Sequence, residues 1–369
     1  MIIKEIELRD FRNYEILHLQ FHNRVNIFLG ENAQGKTNIL EALYLSSLGK
    51  SFRTSQDSDM IRFGSEYLKV RVDAEKEEEE LSVEFVITNR EKGIKIDGVK
   101  LRRIAELFEH VYAVIFSPED LKIVKEDPEK RRKFIDTELC LTSPSYYGKL
   151  TEYRRILKQR NSFLKDYKIS GRKIDREELF VWNEKLAESG SAIMQKRADF
   201  LRKLCRIGRE LHEKITDGKE ALDIRYEPSV SFFPDFKEQK AHFLEELEQN
   251  FLSDVKNAST GKGPHRDDMA ITVNEIDLRK FGSQGQQRTA ALSLKLSEIY
   301  LIREESGENA ILLLDDVMSE LDAARQSFLI HALEDVQLFI TTTELSPEVT
   351  EALPPGYTFY VKKGTVERK

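Results

Sequence analysis

The chain has 369 residues, 40% of them hydrophobic and 33% charged, with a formal net charge of −7. That is ordinary globular composition, long enough for two or three domains or one large discontinuous domain with an insertion, and it argues against a uniformly basic nucleic-acid coat. The N-terminus carries charge at Lys4, Glu5, Glu7, Arg9 and Asp10, and no uninterrupted apolar run approaches the roughly 18 residues of a membrane span, so a cytoplasmic protein that spans no membrane is expected.

The first third reads as strands. The segments "IIKEIELRDF" and "EILHLQF" alternate apolar with polar residues, and "RVNIFLG" is a short apolar run ending at Gly30. A helix is expected from near Gly35, with Ile39, Leu40, Leu43, Leu45 and Leu48 mostly on one face. Three further alternating runs, "YLKVRVDAE", "ELSVEFVIT" and "GIKIDGVKL", predict an antiparallel meander with the acidic stretch 75–80 at a solvated hairpin tip.

After "VYAVIFSPEDL" the pattern becomes helical as far as Asn257, with an extended interlude near 222–234. Leu150, Tyr153, Ile156, Leu157, Phe163, Leu164 and Tyr167 mark one helix. Leu179, Trp182, Leu186, Ile193, Phe200, Leu204, Ile207, Leu211 and Ile215 mark another. These spacings predict an antiparallel helical pair joined by the turn "ISGRKIDR", with Trp182 used in packing. From Lys122 to Lys173, fifteen Lys and Arg face seven Asp and Glu, a basic segment in an acidic chain and the place where one surface could meet phosphates. Cys140 and Cys205 stand alone, without the spacing of a zinc site or a disulfide framework.

Strand and helix alternate again in the last third, through "MAITVNEIDL", "AALSLKLSEIYLI", "NAILLLDDV", "DAARQSFLIHALED", "VQLFITTT" and "TFYVKKG". Residues 1–117 and 258–369 therefore read as one discontinuous α/β domain, interrupted by a mainly helical arm over 118–257.

Three stretches carry chemistry. "GENAQGKT", Gly30 to Thr37, matches GxxxxGK[ST] between a strand and a helix. We take Gly30, Glu31, Asn32, Ala33, Gln34, Gly35, Lys36, Thr37 and Asn38 as a nucleotide cradle. Backbone N–H groups from about Ala33 to Thr37 curl round phosphate oxygens, Lys36 reaches the β- and γ-phosphates of ATP, and Thr37 offers its hydroxyl to Mg²⁺. "ILLLDD" ends in Asp315, placed to hold Mg²⁺ directly or through water, and Asp316, placed to orient or deprotonate the attacking water. "GSQGQQRT", Gly282 to Thr289, has no aliphatic side chain and opens a long helix. With Ser283 and Gly285 at its head, it forms a second anion-binding helix terminus, so one chain carries two half-sites that a twofold dimer would bring together.

The order "GENAQGKT", "SQGQQR", "ILLLDD", "SELD" resembles the head domain of ABC-type P-loop ATPases, a mixed sheet with helices plus an antiparallel β subdomain, here with an inserted helical arm. Within that superfamily "LRDFRNYE", "GENAQGKTNILEAL", "FSPEDL", "EKRRKFID" and "GPHRDD" are similar to the motifs of the RecF family of bacterial DNA-repair ATPases. The resemblance implies an ATP-dependent homodimer that binds double-stranded DNA at junctions with single strands and works with RecO and RecR to load recombinase. It matches Ser283, Gly285 and Gln286 to the signature loop and Asp322 to the acid of the interface loop.

By the same resemblance, Arg12 and Asn13 stand where related ATPases contact adenine or ribose, and His265 and Arg266 are motif residues without a role. Arg53 approaches phosphate or DNA. Arg131, Arg132, Lys133, Arg154 and Arg155 in the basic segment are expected DNA contacts. The family pattern is departed from at three places: Asp316 stands for the usual Glu, Thr341 to Thr343 for the switch histidine, and Ser117, Glu119 and Asp120 surround the position of a missing Gln. A transporter ATPase subunit and a small-molecule P-loop kinase remain as other readings, although neither explains the insertion together with Ser283 to Gln287.

Overall fold

Alternation makes the N-terminal strands one-sided, and the computed structural model, which describes residues 1–77, 79–170, 176–333 and 335–369, shows what that side covers. The chain opens with strands β1 (Ile2–Phe11), β2 (Tyr14–Gln20) and β3 (Val25–Leu29), then helix α1 (Lys36–Leu48). The meander follows as β4 (Tyr67–Lys76), β5 (Glu79–Thr88), β6 (Lys92–Ile96) and β7 (Val99–Lys100), then β8 (Ala113–Phe116). Next come α2 (Leu121–Lys125), α3 (Pro128–Thr142), α4 (Pro144–Ser170), α5 (Arg176–Ile215), β9 (Leu222–Glu227), α6 (Phe236–Gln249) and α7 (Phe251–Asn257). The remainder is β10 (Asp268–Val273), β11 (Ile276–Asp277), α8 (Leu278–Phe281), α9 (Gln284–Ser306), β12 (Ile311–Asp315), α10 (Ala323–Ala332), β13 (Leu338–Thr342), α11 (Pro347–Ala352), β14 (Gly356–Lys362) and β15 (Thr365–Arg368). The "ISGRKIDR" turn lies largely outside the described residues, as does residue 78 in the acidic hairpin tip.

The chain divides into two compact units: Met1–Lys122, Glu210–Lys219 and Gln284–Lys369 form the first, Ile123–Arg209 and Glu220–Ser283 the second. In the first unit an antiparallel sheet runs β2-β1-β4-β5-β6-β7, and a second sheet runs β15-β14-β3-β13-β12-β8, parallel except for β15. One face of the antiparallel sheet is apolar, through residues such as Leu68, Val70, Val72, Val83, Phe85 and Ile87. Its other face carries cross-strand ion pairs of Glu84 with Lys69 (2.6 Å) and Lys95 (3.3 Å). Strands β8, β12 and β13 are buried along their whole length, as continuous apolar runs in a covered sheet must be. Helix α1 meets β8, β12 and β13 of one sheet and β1 and β4 of the other. It is buried nearly all round rather than on one face, because it lies between two sheets.

The second unit holds α3 to α8 with most of α5, and a small antiparallel sheet ordered β11-β10-β9. Tyr146 meets Arg197, Tyr153 meets Gly190, and Arg160 meets Asn183, so α4 ascends as α5 descends: the pair is antiparallel. A Cβ on Gly190 would sit 2.5 Å from a ring carbon of Phe243, which is why glycine stands at this approach. The observed grouping differs from the sequence division in three places, the first being residues 118–122, which stay with the first unit. Residues 258–283 join the helical unit because β10 pairs with β9, the extended interlude, and residues 210–219 join the first unit, where His212 Nδ1 lies 3.0 Å from Ser293 Oγ.

Two buried arginines organise this unit. Arg160 binds Asn183 Oδ1, Asp254 Oδ2 and Thr260 Oγ1 at 2.7–2.8 Å, and Arg197 binds Asp136 Oδ1 (2.8 Å) and the Pro264 carbonyl (2.6 Å). The "GPHRDD" segment closes the same network. His265 Nε2 donates to the Thr260 carbonyl (2.9 Å), which leaves Nδ1 to accept from the Tyr153 hydroxyl (2.7 Å). Burial pushes the His265 pKa down to about 4. Because the folded value is depressed below the unfolded 6.5, the unfolded chain binds the extra proton. Stability is then full above about pH 6.5 and falls by up to about 3 kcal/mol as the pH drops toward 4. Urea midpoints at pH 7.5 and 5 are expected to differ less for His265→Gln than for the wild type; an equal difference would mean that His265 does not carry this pH dependence.

Candidate functional site

Parallel strands β3, β13 and β12 are neighbours in that order, so their C-terminal ends present the "GENAQGKT" loop, the Thr341 end of β13 and the Asp315–Asp316 pair along one edge of the sheet. The loop turns at Ala33 (φ 63°) and Gly35 (φ 117°), and Gly35 is the residue whose backbone no side chain would tolerate at that angle. Lys36 begins α1, is only 4% exposed, and curls back so that Nζ donates to the carbonyls of Gly30 (2.6 Å) and Glu31 (3.2 Å). The cradle is braced from outside. Asn13 Nδ2 and the Tyr14 hydroxyl donate to the Gln34 and Gly35 carbonyls (2.9 and 3.0 Å), and Gln34 Oε1 accepts from the Lys363 N–H (2.8 Å).

Thr37 Oγ1 donates to Asp315 Oδ1 at 2.7 Å, and Thr341 Oγ1 donates to the same oxygen at 2.8 Å. Burial holds the Asp315 carboxyl above its usual range, the two hydroxyl bonds opposing that shift and the neighbouring Asp316 adding to it. A buried carboxylate beside a threonine hydroxyl is a hard-oxygen donor set that fits a small hard cation. Asp316 is half-buried and left-handed (φ 54°), with its N–H on the Thr341 carbonyl (3.1 Å), so the chain bends immediately after Asp315 and the two acids have different surroundings.

Sequence reasoning missed Glu41. Its carboxylate is fully buried and grips Arg12 through both oxygens (2.8 and 2.6 Å), accepts from Arg53 (3.2 Å) and is bonded by Ser51. Arg53 also donates to Asn38 Oδ1 (2.7 Å), and Asn38 Nδ2 donates to Asn13 Oδ1 (2.7 Å). Arg12, Asn13, Asn38 and Arg53 are therefore one hydrogen-bonded group centred on Glu41. The signal was a single acid inside the otherwise apolar face of α1. Thr341 was noted only as a replacement for a histidine; its bond to Asp315 follows from β13 lying between β3 and β12. Ser117 N–H and hydroxyl both donate to Asp120 (2.7 and 2.9 Å), which occupies that carboxylate at the position of the missing Gln.

Ser283, Gln284 and Gly285 are exposed at the start of α9. The first turns of α9 are tied to the connection after β12. Arg288 pairs with Glu320, and Arg325 donates to Thr289 Oγ1 (2.9 and 2.6 Å) while pairing with Asp322. Asp322 also caps α10 by accepting from the Arg325 N–H (3.0 Å). Of the residues expected on DNA, Arg131 must be corrected. It is 3% exposed and bonds Asp268 through two nitrogens (2.6 and 2.8 Å), so its charge is spent inside the helical unit. Arg132 donates to the Asp267 carbonyl (2.7 Å), whereas Lys133, Arg154 and Arg155 are exposed.

The family described as the RecF/RecN/SMC N-terminal domain matches residues 2–361. The chain is 44% identical to the DNA replication and repair protein RecF of Alkaliphilus oremlandii (strain OhILAs) over the whole of both chains, and 44% identical to that of Clostridioides difficile (strain 630) over 94% of this chain and 92% of that one. A solved structure of the recombination mediator protein RecF with ATP, in the RecFOR pathway, superposes with a TM-score of 0.92 at 39% identity, covering 100% of this chain and 97% of that one. These likenesses do not favour the transporter or kinase readings, and no helix among the described residues is long and apolar enough to cross a membrane. With the phosphate loop, the acid pair and both sheets of an ABC-type head in place along its whole length, the chain belongs to the RecF family of DNA replication and repair proteins.

Proposed function

We propose that the protein is an ATP-switched clamp on DNA. ATP sits on the Gly30–Asn38 loop with its β- and γ-phosphates at Lys36, and Mg²⁺, which neutralises charge on the phosphate oxygens when bound, is held by Thr37 and Asp315. The observation that carries this reading is the convergence of the Thr37 and Thr341 hydroxyls on one oxygen of the buried Asp315, beside the Lys36 cradle. Ser283, Gly285 and Gln286 of a second copy close over the γ-phosphate, with Asp322 in the same interface, so nucleotide occupancy becomes dimerisation. Asp316 activates water slowly, hydrolysis is stimulated by DNA, and product formation reopens the dimer. Double-stranded DNA and its junctions with single strands are the cargo. RecO and RecR are the partners in recombinase loading, in keeping with the RecFOR pathway to which the solved relative is assigned.

Sedimentation with a slowly hydrolysed ATP analogue and duplex DNA tests the reading. Wild type is expected to shift from monomer to dimer with the analogue, and Ser283→Ala to bind the analogue yet stay monomeric. A Ser283→Ala protein that dimerises like wild type would refute the shared site.

A further inference from the structure

One side of α4 carries an unexplained line of cations. Arg154, Lys158, Asn161, Ser162 and Lys165 recur at helical spacing and, with the apolar Leu157 and Ala258, line an open groove of about 400 Å³ within the second unit. Arg154 touches Asp136 at 3.1 Å but keeps 61% of its side chain exposed. Lys158 and Lys165 are exposed and form no ion pair among the described residues.

The acids nearby do not cancel this charge. Glu152 pairs with Lys149 (3.3 Å), and Asp166 lies about 100° around the helix from Lys165. On α7, which packs against α4, Asp254 is buried and bound to Arg160 (2.8 Å) and the Gly261 N–H (2.9 Å), while Lys256 in its last turn adds a further positive charge. Asn161 is fixed by the Thr260 N–H and hydroxyl, both donating to its Oδ1 (2.8 and 2.7 Å), so the amide NH₂ is the end left for a ligand. Cations, amide donors and a serine hydroxyl together suit a partner rich in anionic acceptor oxygens.

Length and composition narrow the partner. From Arg154 to Lys165 the helix rises about 16 Å, more than one phosphate needs and roughly the axial rise of five nucleotides of one strand. Among the described residues no aromatic ring lines the groove, so the stacking platform of a single-strand site is missing there. We infer that this face of α4, through Arg154, Lys158 and Lys165, binds the phosphate backbone of duplex DNA without reading its sequence, a contact that rests on the DNA-clamp reading above and gives it a location.

The test compares wild type with the full-length Lys158→Ala/Lys165→Ala protein in ATP and Mg²⁺, using fluorescence anisotropy with two duplexes of unrelated sequence between 50 and 200 mM salt. Loss of two phosphate contacts is expected to make the slope of log K against log salt shallower by about 1.8 and to cost up to about eightfold per lysine at 0.1 M salt, equally on both duplexes. Lys158→Arg/Lys165→Arg should restore the wild-type slope, and nucleotide binding and the unfolding midpoint should not move in any of these variants. A double-alanine protein with the wild-type slope and affinity overturns this inference alone. A wild type that shows no ATP-dependent hold on duplex overturns the clamp and this contact together.

Discussion

Lys36→Ala is expected to weaken ATP binding by about 10²- to 10⁴-fold, because charge-assisted hydrogen bonds contribute roughly 1.5–3 kcal/mol each and the proposed site gives the ammonium two of them, with the β- and γ-phosphates. In the structure Nζ is held by two carbonyls of its own loop, Gly30 and Glu31, so it waits at the cradle and moves little to meet phosphate. Truncation leaves those carbonyls to solvent at the loop surface, and the unfolding midpoint should change far less than the affinity. Titration calorimetry with ATP and Mg²⁺ reads the effect directly. An affinity within a few-fold of wild type would place the phosphates elsewhere; under the clamp proposal, in which ATP closes the dimer, retention on DNA should fall in parallel with the affinity.

The "GENAQGKT" loop was legible as a strand-to-helix turn because it is local: eight consecutive residues, one strand before and one helix after. The acid pair was legible for the same reason, since four buried aliphatics can only end a central strand at Asp315. What one-dimensional reading could not supply was lateral order. Nothing in "VQLFITTT" says that β13 inserts between β3 and β12, yet that insertion puts Thr341 onto Asp315. Glu41 escaped because its partners Arg12, Ser51 and Arg53 come from separate segments. The basic segment misled in part: charge counting cannot tell Arg131, buried against Asp268, from Lys158, which faces solvent four residues beyond Arg154 on the same helix face. Domain limits shifted at 258–283 because strand pairing between β9 and β10 reaches across the intervening helices α6 and α7.

Asp316→Asn should separate switching from closure. The two acids differ in environment: Asp315 is buried under two hydroxyl bonds, while Asp316 sits half-exposed at the bend that follows. Removing a general base typically costs about 10²- to 10⁴-fold in rate. Asn accepts the left-handed backbone at this position as readily as Asp does, so the substitution changes the chemistry and spares the turn. ATP turnover should fall by that factor while ATP-dependent dimerisation persists, and the variant should stay on DNA for longer. Asp316→Glu lengthens the side chain by one methylene toward the attacking water and should raise turnover, less a strain of about 1 kcal/mol for a non-glycine residue held left-handed. Single-turnover hydrolysis with DNA present reads both. A slow wild type, an Asn variant that is slower still and a faster Glu variant are what a timed switch requires; wild-type turnover of many cycles per second, or unchanged hydrolysis in Asp316→Asn, would assign the base to another residue.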